Sequence, residues 1–218
     1  MRDDTRQSVI QRLPFGHPAV AGDVIRLQGL LRDALTTIQY QPLGKISVLN
    51  LACGSADETG ALVAALAPAE IGYYLGIDIR RNTLDEAERR WTTPRGTMEF
   101  RCADASSIDR MKQLPLFDFI FIRHQNYWFA PVTWDRLLEN ALAVLAPGGV
   151  LACTSYFDDE HDLLKVSLQT RGAEILWDVR HMESRVLPDV RGKSVDRRLA
   201  VFAQSSSGLQ SVSAFGTD

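Results

Sequence analysis

Short apolar runs alternate with amphipathic segments along most of this chain. Five runs have the length of β-strands, at residues 46–51, 73–78, 98–102, 117–122 and 150–155. Apolar residues recur at helical spacing after each of them, around residues 62–66, 81–91, 106–113, 133–145 and 159–170. The run FDFIFI is apolar nearly throughout, which is typical of a central strand covered on both faces. The alternation therefore predicts an α/β fold, a doubly wound parallel sheet with helices on both sides.

The ends of the chain differ from this alternation. Apolar residues recur at helical spacing before the first strand, at Val24, Leu27, Leu31, Leu35 and Ile38. Residues 1–45 are therefore expected to form a helical extension that could act as a lid. Residues 174–179 and 198–203 have no helical pattern between them, so they should pair antiparallel. The Ser/Gly-rich residues 205–218 are expected to be disordered, which leaves 46–204 as the main domain.

Length, charge and composition are typical of a globular protein with one domain. A length of 218 residues suits one sizeable domain, and a net charge of -3 gives no general attraction to nucleic acid or anionic lipid. No apolar stretch reaches the roughly 18 residues of a membrane-spanning helix. The first residues lack the apolar core of a signal peptide, so we expect a cytoplasmic location with no membrane partner. Cys53, Cys102 and Cys153 have no paired spacing, which indicates reduced thiols.

The segment VLNLACGSADET, at residues 48–59, carries the clearest chemical signal. A buried strand opens into small residues around Gly54 and then into a helix, and Asp78 stands at the tip of the next strand. Such a loop lets a ligand approach the backbone closely, and a carboxylate at the next strand tip suits ribose hydroxyls. The pattern indicates a site for an adenosine-containing ligand.

Five segments in this order resemble the class I S-adenosylmethionine-dependent methyltransferases: VLNLACGSAD, LGIDIR, FRCADASSI, FDFIFIRH and LAVLAPGGVLACTSY. The resemblance covers residues 46–204. It implies a Rossmann-like sheet of seven strands in the order 3-2-1-4-5-7-6, with strand seven antiparallel. It also implies S-adenosyl-L-methionine as cofactor. We expect a small-molecule methyl acceptor and no nucleic acid, because the chain has no added domain and no broad basic face.

The resemblance also implies which residues hold the cofactor: Asn50, Ala52, Cys53, Gly54, Asp78, Ile79, Asp104, Ala105 and Arg123. The loop around Gly54 would pass beneath the methionine part. Asp78 would accept hydrogen bonds from both ribose hydroxyls, and Ile79 would pack on the adenine. Asp104 would take the adenine amino group, with the backbone N–H of Ala105 on a ring nitrogen.

Three positions depart from the family pattern. The family usually has an acidic residue where Asn50 stands, and glycines where Ala52 and Ala56 stand. Alanine adds a methyl group and disfavours positive φ, and Asn50 brings no charge. These departures make a non-catalytic binding protein of the same fold one alternative. A dinucleotide-dependent oxidoreductase that uses the same loop is the other, although the antiparallel end pair speaks against it.

Methyl transfer from a sulfonium is a direct displacement, so it depends mainly on alignment of the reacting groups. A base is needed only if the acceptor must lose a proton. The polar-aromatic cluster after the fourth predicted strand offers His124 and Tyr127 as candidate catalytic residues, while a structural histidine bonded to backbone remains the alternative. Asn126, Tyr127 and Tyr156 could line an acceptor pocket. No metal site is expected, since the acidic residues 158–160 are ordinary for a helix start.

We expect Asp78→Ala to weaken the binding of S-adenosylhomocysteine at least about tenfold. Hydrogen bonds to a charged group contribute roughly 1.5–3 kcal/mol each, and about 1.4 kcal/mol corresponds to a factor of ten in affinity. Titration calorimetry on both proteins measures the change. Equal affinities would remove Asp78 from the site.

Overall fold

The computed structural model describes residues 9–93 and 98–205, and these residues contain nine strands. They are β1 (Ile10–Gln11), β2 (Lys45–Leu51), β3 (Glu70–Asp78), β4 (Trp91–Thr92), β5 (Met98–Cys102), β6 (Phe117–Arg123), β7 (Leu145–Ser155), β8 (Ala173–Arg180) and β9 (Arg198–Gln204). Seven of them form one sheet in the order β5-β3-β2-β6-β7-β9-β8. In this sheet β9 is antiparallel to β7 and β8, and the other neighbours are parallel. The predicted strand order and the antiparallel seventh strand are confirmed.

Five α-helices cover the sheet: α1 (Pro18–Thr37), α2 (Thr59–Ala65), α3 (Arg81–Arg90), α4 (Pro131–Ala143) and α5 (Asp158–Thr170). Two 3₁₀ turns, Ala105–Arg110 and Tyr127–Phe129, lie between them. The helices divide between the two faces, because α1, α2 and α3 contribute to one hydrophobic cluster and α4 and α5 to the other. This is the predicted doubly wound arrangement.

The central strand β6 explains why its sequence is almost entirely apolar. Phe119 and Phe121 point into the cluster beneath α1 and α2, and Ile120 and Ile122 point into the cluster beneath α4 and α5. Alternate side chains of a strand point to opposite faces, so a strand with helices on both sides needs apolar residues throughout. All four side chains are fully buried.

Several predicted boundaries were wrong. Helix α4 begins at Pro131 and not at residue 133; proline is well suited to the first helical turn because its missing N–H is not needed there. Strand β7 begins at Leu145, not at residue 150, and its register against β6 shifts between Phe117 and Phe119. The helix expected near 106–113 is the shorter 3₁₀ turn. The predicted disordered tail falls almost entirely outside the described residues.

Helix α1 is part of the main packing. The Nδ1 atom of His17 accepts a hydrogen bond from the N–H of Ala19 at 3.1 Å and caps the helix. Leu27 and Leu31 are fully buried in the cluster that also contains β2 and β6 side chains. The role of residues 1–45 as a lid stays a prediction. Within the described ranges, no helix has the length and apolar character needed to cross a membrane.

The packing of α1 predicts a large loss of stability for Leu31→Ala. Removing a fully buried leucine side chain costs about 2–5 kcal/mol in the free energy of unfolding, since it leaves a cavity. Ile25→Ala, on the exposed side of the same helix (Ile25 is 71% exposed), should change it by less than about 0.5 kcal/mol. Denaturant unfolding of both variants measures the difference. Similar small effects would contradict the docking of α1 on the sheet.

Candidate active site

A cavity of about 490 Å³ opens at the carboxyl ends of β2, β3, β6 and β7. Its floor includes the loop at Gly54, and its sides include Arg80 and Arg123. Helix α1 and the connection between β8 and β9 close it from above, through Asp23 and Arg185. The carboxyl edge of a parallel sheet is where doubly wound folds bind ligands. The chain therefore places a set of convergent polar groups at the expected edge.

The loop after β2 has the backbone conformation that glycine favours, although two of its residues are alanines. Ala52, Gly54 and Ala56 have φ angles of 53°, 55° and 51°. The left-handed conformation costs a non-glycine residue roughly 1–2 kcal/mol. The N–H of Cys53 donates to the carbonyl of Ile77 at 3.0 Å and so fastens the loop to β3. The two alanines thus leave the loop geometry intact at some cost in strain.

Asp78 is the second fastening point of this loop. It is 3% exposed, and its Oδ2 accepts a hydrogen bond from the N–H of Gly54 at 2.8 Å. Arg80 supplies three more donors, from its backbone N–H at 2.8 Å, its Nε at 3.0 Å and its Nη2 at 3.2 Å. Burial raises the pKa of Asp78, but these hydrogen bonds outweigh it and hold the pKa below its ordinary value.

The carboxylate of Asp78 is thereby saturated. Two oxygens offer about four acceptor positions, and all four are filled, two of them by the side chain of Arg80. That side chain is 59% exposed, so it has room to move away. A ligand with two adjacent hydroxyls can bind Asp78 by replacing the guanidinium group.

Asn50 does not line the cavity. It is fully buried, and its Nδ2 donates to Oε1 of Glu58 at 2.6 Å and to the hydroxyl of Tyr74 at 2.9 Å. Glu58 does line the cavity, and its Oε2 lies 3.5 Å from Nη1 of Arg123. Burial raises the pKa of Glu58, against the opposing influence of Arg123 and Asn50. Sequence analysis missed Glu58, because an acidic residue before a helix is ordinary.

Asp196, from the connection between β8 and β9, organises the end of β6. It accepts two hydrogen bonds from Arg123, at 3.0 and 2.6 Å, and one from Thr154 at 2.9 Å. Nε2 of His124 lies 2.9 Å from the backbone nitrogen of Asp196 and 2.8 Å from its Oδ1. Whichever of these it engages, Nε2 is committed, so Nδ1 is the nitrogen left for an acceptor. The His124 ring stacks on Tyr156 at 3.8 Å, and burial lowers the pKa of His124.

The roof of the cavity is held by an ion pair between a buried carboxylate and a partly exposed arginine. Asp23 of α1 is 5% exposed and accepts hydrogen bonds from Nε of Arg185 at 2.9 Å and from Nη2 of Arg185 at 2.5 Å. Arg26 contacts the same carboxylate. The two partners are 162 residues apart, so no local pattern indicated their pairing.

The structure brings six of the predicted site residues together around the cavity: Ala52, Cys53, Gly54, Arg123, His124 and Tyr156. Ile79 and Asp104 lie beside Asp78, at the neighbouring ends of β3 and β5. Ile79 is exposed, and Oδ1 of Asp104 accepts from the N–H of Ser106, while Ala105 is buried. The order from Gly54 through Asp78 to Ile79 would suit an extended ligand.

Asn126 and Tyr127 lie outside the cavity wall. The hydroxyl of Tyr127 donates to Asp135 at 2.5 Å, and its ring packs in the cluster beneath α4 and α5. The Tyr127 hydroxyl therefore faces the opposite side of the sheet from the cavity, which does not support the predicted catalytic role. Its backbone N–H donates to Glu160 at 3.0 Å, and this bond fixes the segment after β6.

Comparison with known proteins agrees with this architecture. Residues 48–149, from the second half of β2 into β7, match the family model of the methyltransferase domain. The predicted resemblance to the class I S-adenosylmethionine-dependent methyltransferases, whose cofactor is S-adenosylmethionine, is thereby confirmed.

Solved structures show the same fold. A S-adenosylmethionine-dependent methyltransferase from Clostridium acetobutylicum aligns over 84% of this chain and 92% of its own, with a TM-score of 0.60 and 14% identity. The N-methyltransferase NodS from Bradyrhizobium japonicum aligns over 88% and 99%, with a TM-score of 0.60 and 19% identity. At these identities the likeness concerns the fold alone.

One curated relative changes the expectation about partners. The chain is 29% identical over 166 residues to mRNA cap guanine-N(7) methyltransferase 1 from Arabidopsis thaliana. The match covers 69% of this chain and 42% of the relative, so the chain spans less than half of the relative's length. The expectation that nucleic acid is excluded as a partner was wrong, because this relative is named for an mRNA cap.

Glu160 generates a pH-dependent prediction. Its side chain is 2% exposed, Oε1 accepts a hydrogen bond from the N–H of Tyr127, and Oε2 is buried with no hydrogen-bond partner among the residues that the structure describes. Burial raises the pKa of Glu160 to about 7. Since the folded state holds this proton more tightly than the unfolded state, stability falls as pH rises from about 4.5 through 7.

We therefore compare the free energy of unfolding of Glu160→Gln with that of the parent chain at pH 5 and at pH 8.5. The difference in favour of the variant should be larger at pH 8.5 than at pH 5, by up to about 3 kcal/mol. Denaturant unfolding at the two pH values measures this change. Glu139→Gln makes the same chemical substitution at an exposed position of α4 and serves as the control. A difference between Glu160→Gln and the parent that is equal at both pH values would contradict the prediction.

Proposed function

We propose that this chain transfers the methyl group of S-adenosylmethionine to an acceptor held in the cavity between His124 and Arg185. The observation that carries the proposal is the left-handed loop at Gly54, tied by a hydrogen bond to the buried Asp78. This pair offers close backbone approach and a carboxylate for a ribose at adjacent positions. The match of residues 48–149 to the methyltransferase domain supports S-adenosylmethionine as the ligand.

The residues present fit the cofactor with one rearrangement. Its methionine part would lie over the loop at Gly54, and its ribose hydroxyls would take the two acceptor positions on Asp78 that Arg80 now fills. The adenine would extend over Ile79 toward Asp104. Because Arg80 is largely exposed, its displacement exchanges two hydrogen bonds for two others and leaves the guanidinium in water.

The bound cofactor would supply a methyl group on a positively charged sulfur, where a nucleophile can attack the methyl carbon and the sulfur leaves as a neutral thioether. The protein's contribution is alignment and the exclusion of water. Alignment of two reacting groups can lower the barrier by about 7–11 kcal/mol. The Asp23–Arg185 pair closes the roof, and the stacked rings of His124 and Tyr156 form a rigid wall with Nδ1 of His124 free to orient the acceptor.

The cavity volume limits what can enter. The whole cavity of about 490 Å³ must hold the methionine part together with the acceptor group, so the reacting part of the acceptor must be compact. A nucleotide base at the end of a larger molecule meets this requirement as well as a free metabolite does. The name of the Arabidopsis relative favours an acceptor of nucleotide chemistry as the first to be tested.

We expect S-adenosylhomocysteine to stabilise the chain in a thermal-shift titration and NAD to leave the melting temperature unchanged. A ligand that binds only the folded state raises stability with its concentration. Transfer of a labelled methyl group to guanine nucleotides, capped RNA and a panel of small metabolites then tests the reaction. Stabilisation by NAD alone would point to the oxidoreductase alternative. Cofactor binding without transfer to any acceptor would point to a non-catalytic relative.

A further inference from the structure

We propose that Glu58 binds the α-ammonium group of S-adenosylmethionine and supplies the negative charge that Asn50 lacks. The inference rests on the proposed function, because it assigns one end of the cofactor to a residue of the same cavity. Neither the sequence pattern nor the family match points to Glu58 for this role.

The first argument is position. Asn50 lies next to the last residue of β2 and Glu58 directly precedes α2, yet the Nδ2 of Asn50 lies 2.6 Å from Oε1 of Glu58. The family usually carries a carboxylate at the position of Asn50. In this chain the carboxylate of Glu58 reaches the same place from the start of the next helix. Asn50 and the hydroxyl of Tyr74 form the buried support behind it. Glu58, unlike Asn50, reaches the cavity wall.

The second argument is the incompletely compensated negative charge of the Glu58 carboxylate. Three carboxylates line the cavity, and two of them already contact a guanidinium at hydrogen-bond distance: Asp23 contacts Arg185, and Asp57 contacts Arg90. Glu58 has no such partner among the described residues, since Arg123 stands 3.5 Å away, beyond the usual 2.7–3.2 Å of an N–H···O bond. Glu58 is only 3% exposed, and the charge of a buried carboxylate is incompletely compensated when its cation lies beyond hydrogen-bond distance. An incoming ammonium group would complete that compensation.

The third argument is the neighbouring cation. Arg123 gives its Nε and one Nη2 hydrogen to Asp196, which leaves both hydrogens of Nη1 next to Glu58. A carboxylate and a guanidinium side by side match an α-amino acid, whose ammonium and carboxylate are also adjacent and of opposite charge. Both residues stand beside the Gly54 loop, where the methionine part of the cofactor would lie.

The test compares two ligands that differ only in the amino-acid end. S-adenosylhomocysteine carries it, and 5′-methylthioadenosine has the same adenosine and sulfur without it. We expect Glu58→Gln to weaken the binding of S-adenosylhomocysteine about tenfold or more and to change the affinity for 5′-methylthioadenosine by less than about twofold, as measured by calorimetry. Glutamine keeps an oxygen for Asn50, and retained affinity for 5′-methylthioadenosine reports an intact site.

Asp57→Asn provides the matched control, because it removes the same charge one residue earlier from a carboxylate already held by Arg90. If Asp57→Asn weakens the binding of S-adenosylhomocysteine as selectively and as strongly as Glu58→Gln does, the effect comes from the overall negative charge of the cavity. That result would overturn the proposed contact between Glu58 and the ammonium group. Equal weakening of both ligands by Glu58→Gln, or no weakening of either, would overturn it too. If neither ligand binds the parent chain, the proposed function itself fails and the inference falls with it.

Discussion

The buried carboxylate of Asp78 is the constraint on which the site depends. It ties the loop after β2 to the end of β3 through the N–H of Gly54. A hydrogen bond to a charged group contributes roughly 1.5–3 kcal/mol, which can offset the left-handed strain at Ala52 and Ala56. The loop so fixed sets where α2 starts, and hence where Glu58 meets the cavity. Arg80 saturates the carboxylate until a ligand takes its place.

A second network of largely buried charges runs along the cavity. It runs from Glu58 to Arg123, then to Asp196 and His124. Its members come from the start of α2, the end of β6 and the connection before β9, so the network exists only when the sheet and its covering segments are assembled. Because a buried charge that loses its partner is strongly destabilising, replacement of a single member of this network should cost stability. It holds His124 in one orientation against Tyr156.

The mistaken expectation about nucleic acid has a physical explanation. A net charge of -3 describes long-range attraction of the whole chain to a polyanion. It does not describe the recognition of one base in a pocket, which depends on a few placed groups. This cavity contains Arg80, Arg123 and Arg185, although each contacts a carboxylate. A chain-wide charge therefore cannot exclude an acceptor whose reacting end is a single nucleotide.

The sequence by itself determined the element order, the antiparallel last pair, the loop and Asp78, because these follow from the spacing of apolar residues and from short-range turn chemistry. It also indicated His124 and Tyr156 at the correct edge, since strands that are parallel end together. Only the tertiary structure decided which side chains meet across connections. Glu58 beside Asn50, Asp23 on Arg185, and Tyr127 turned toward Asp135 depend on how distant segments fold over the sheet, and no local periodicity encodes those contacts.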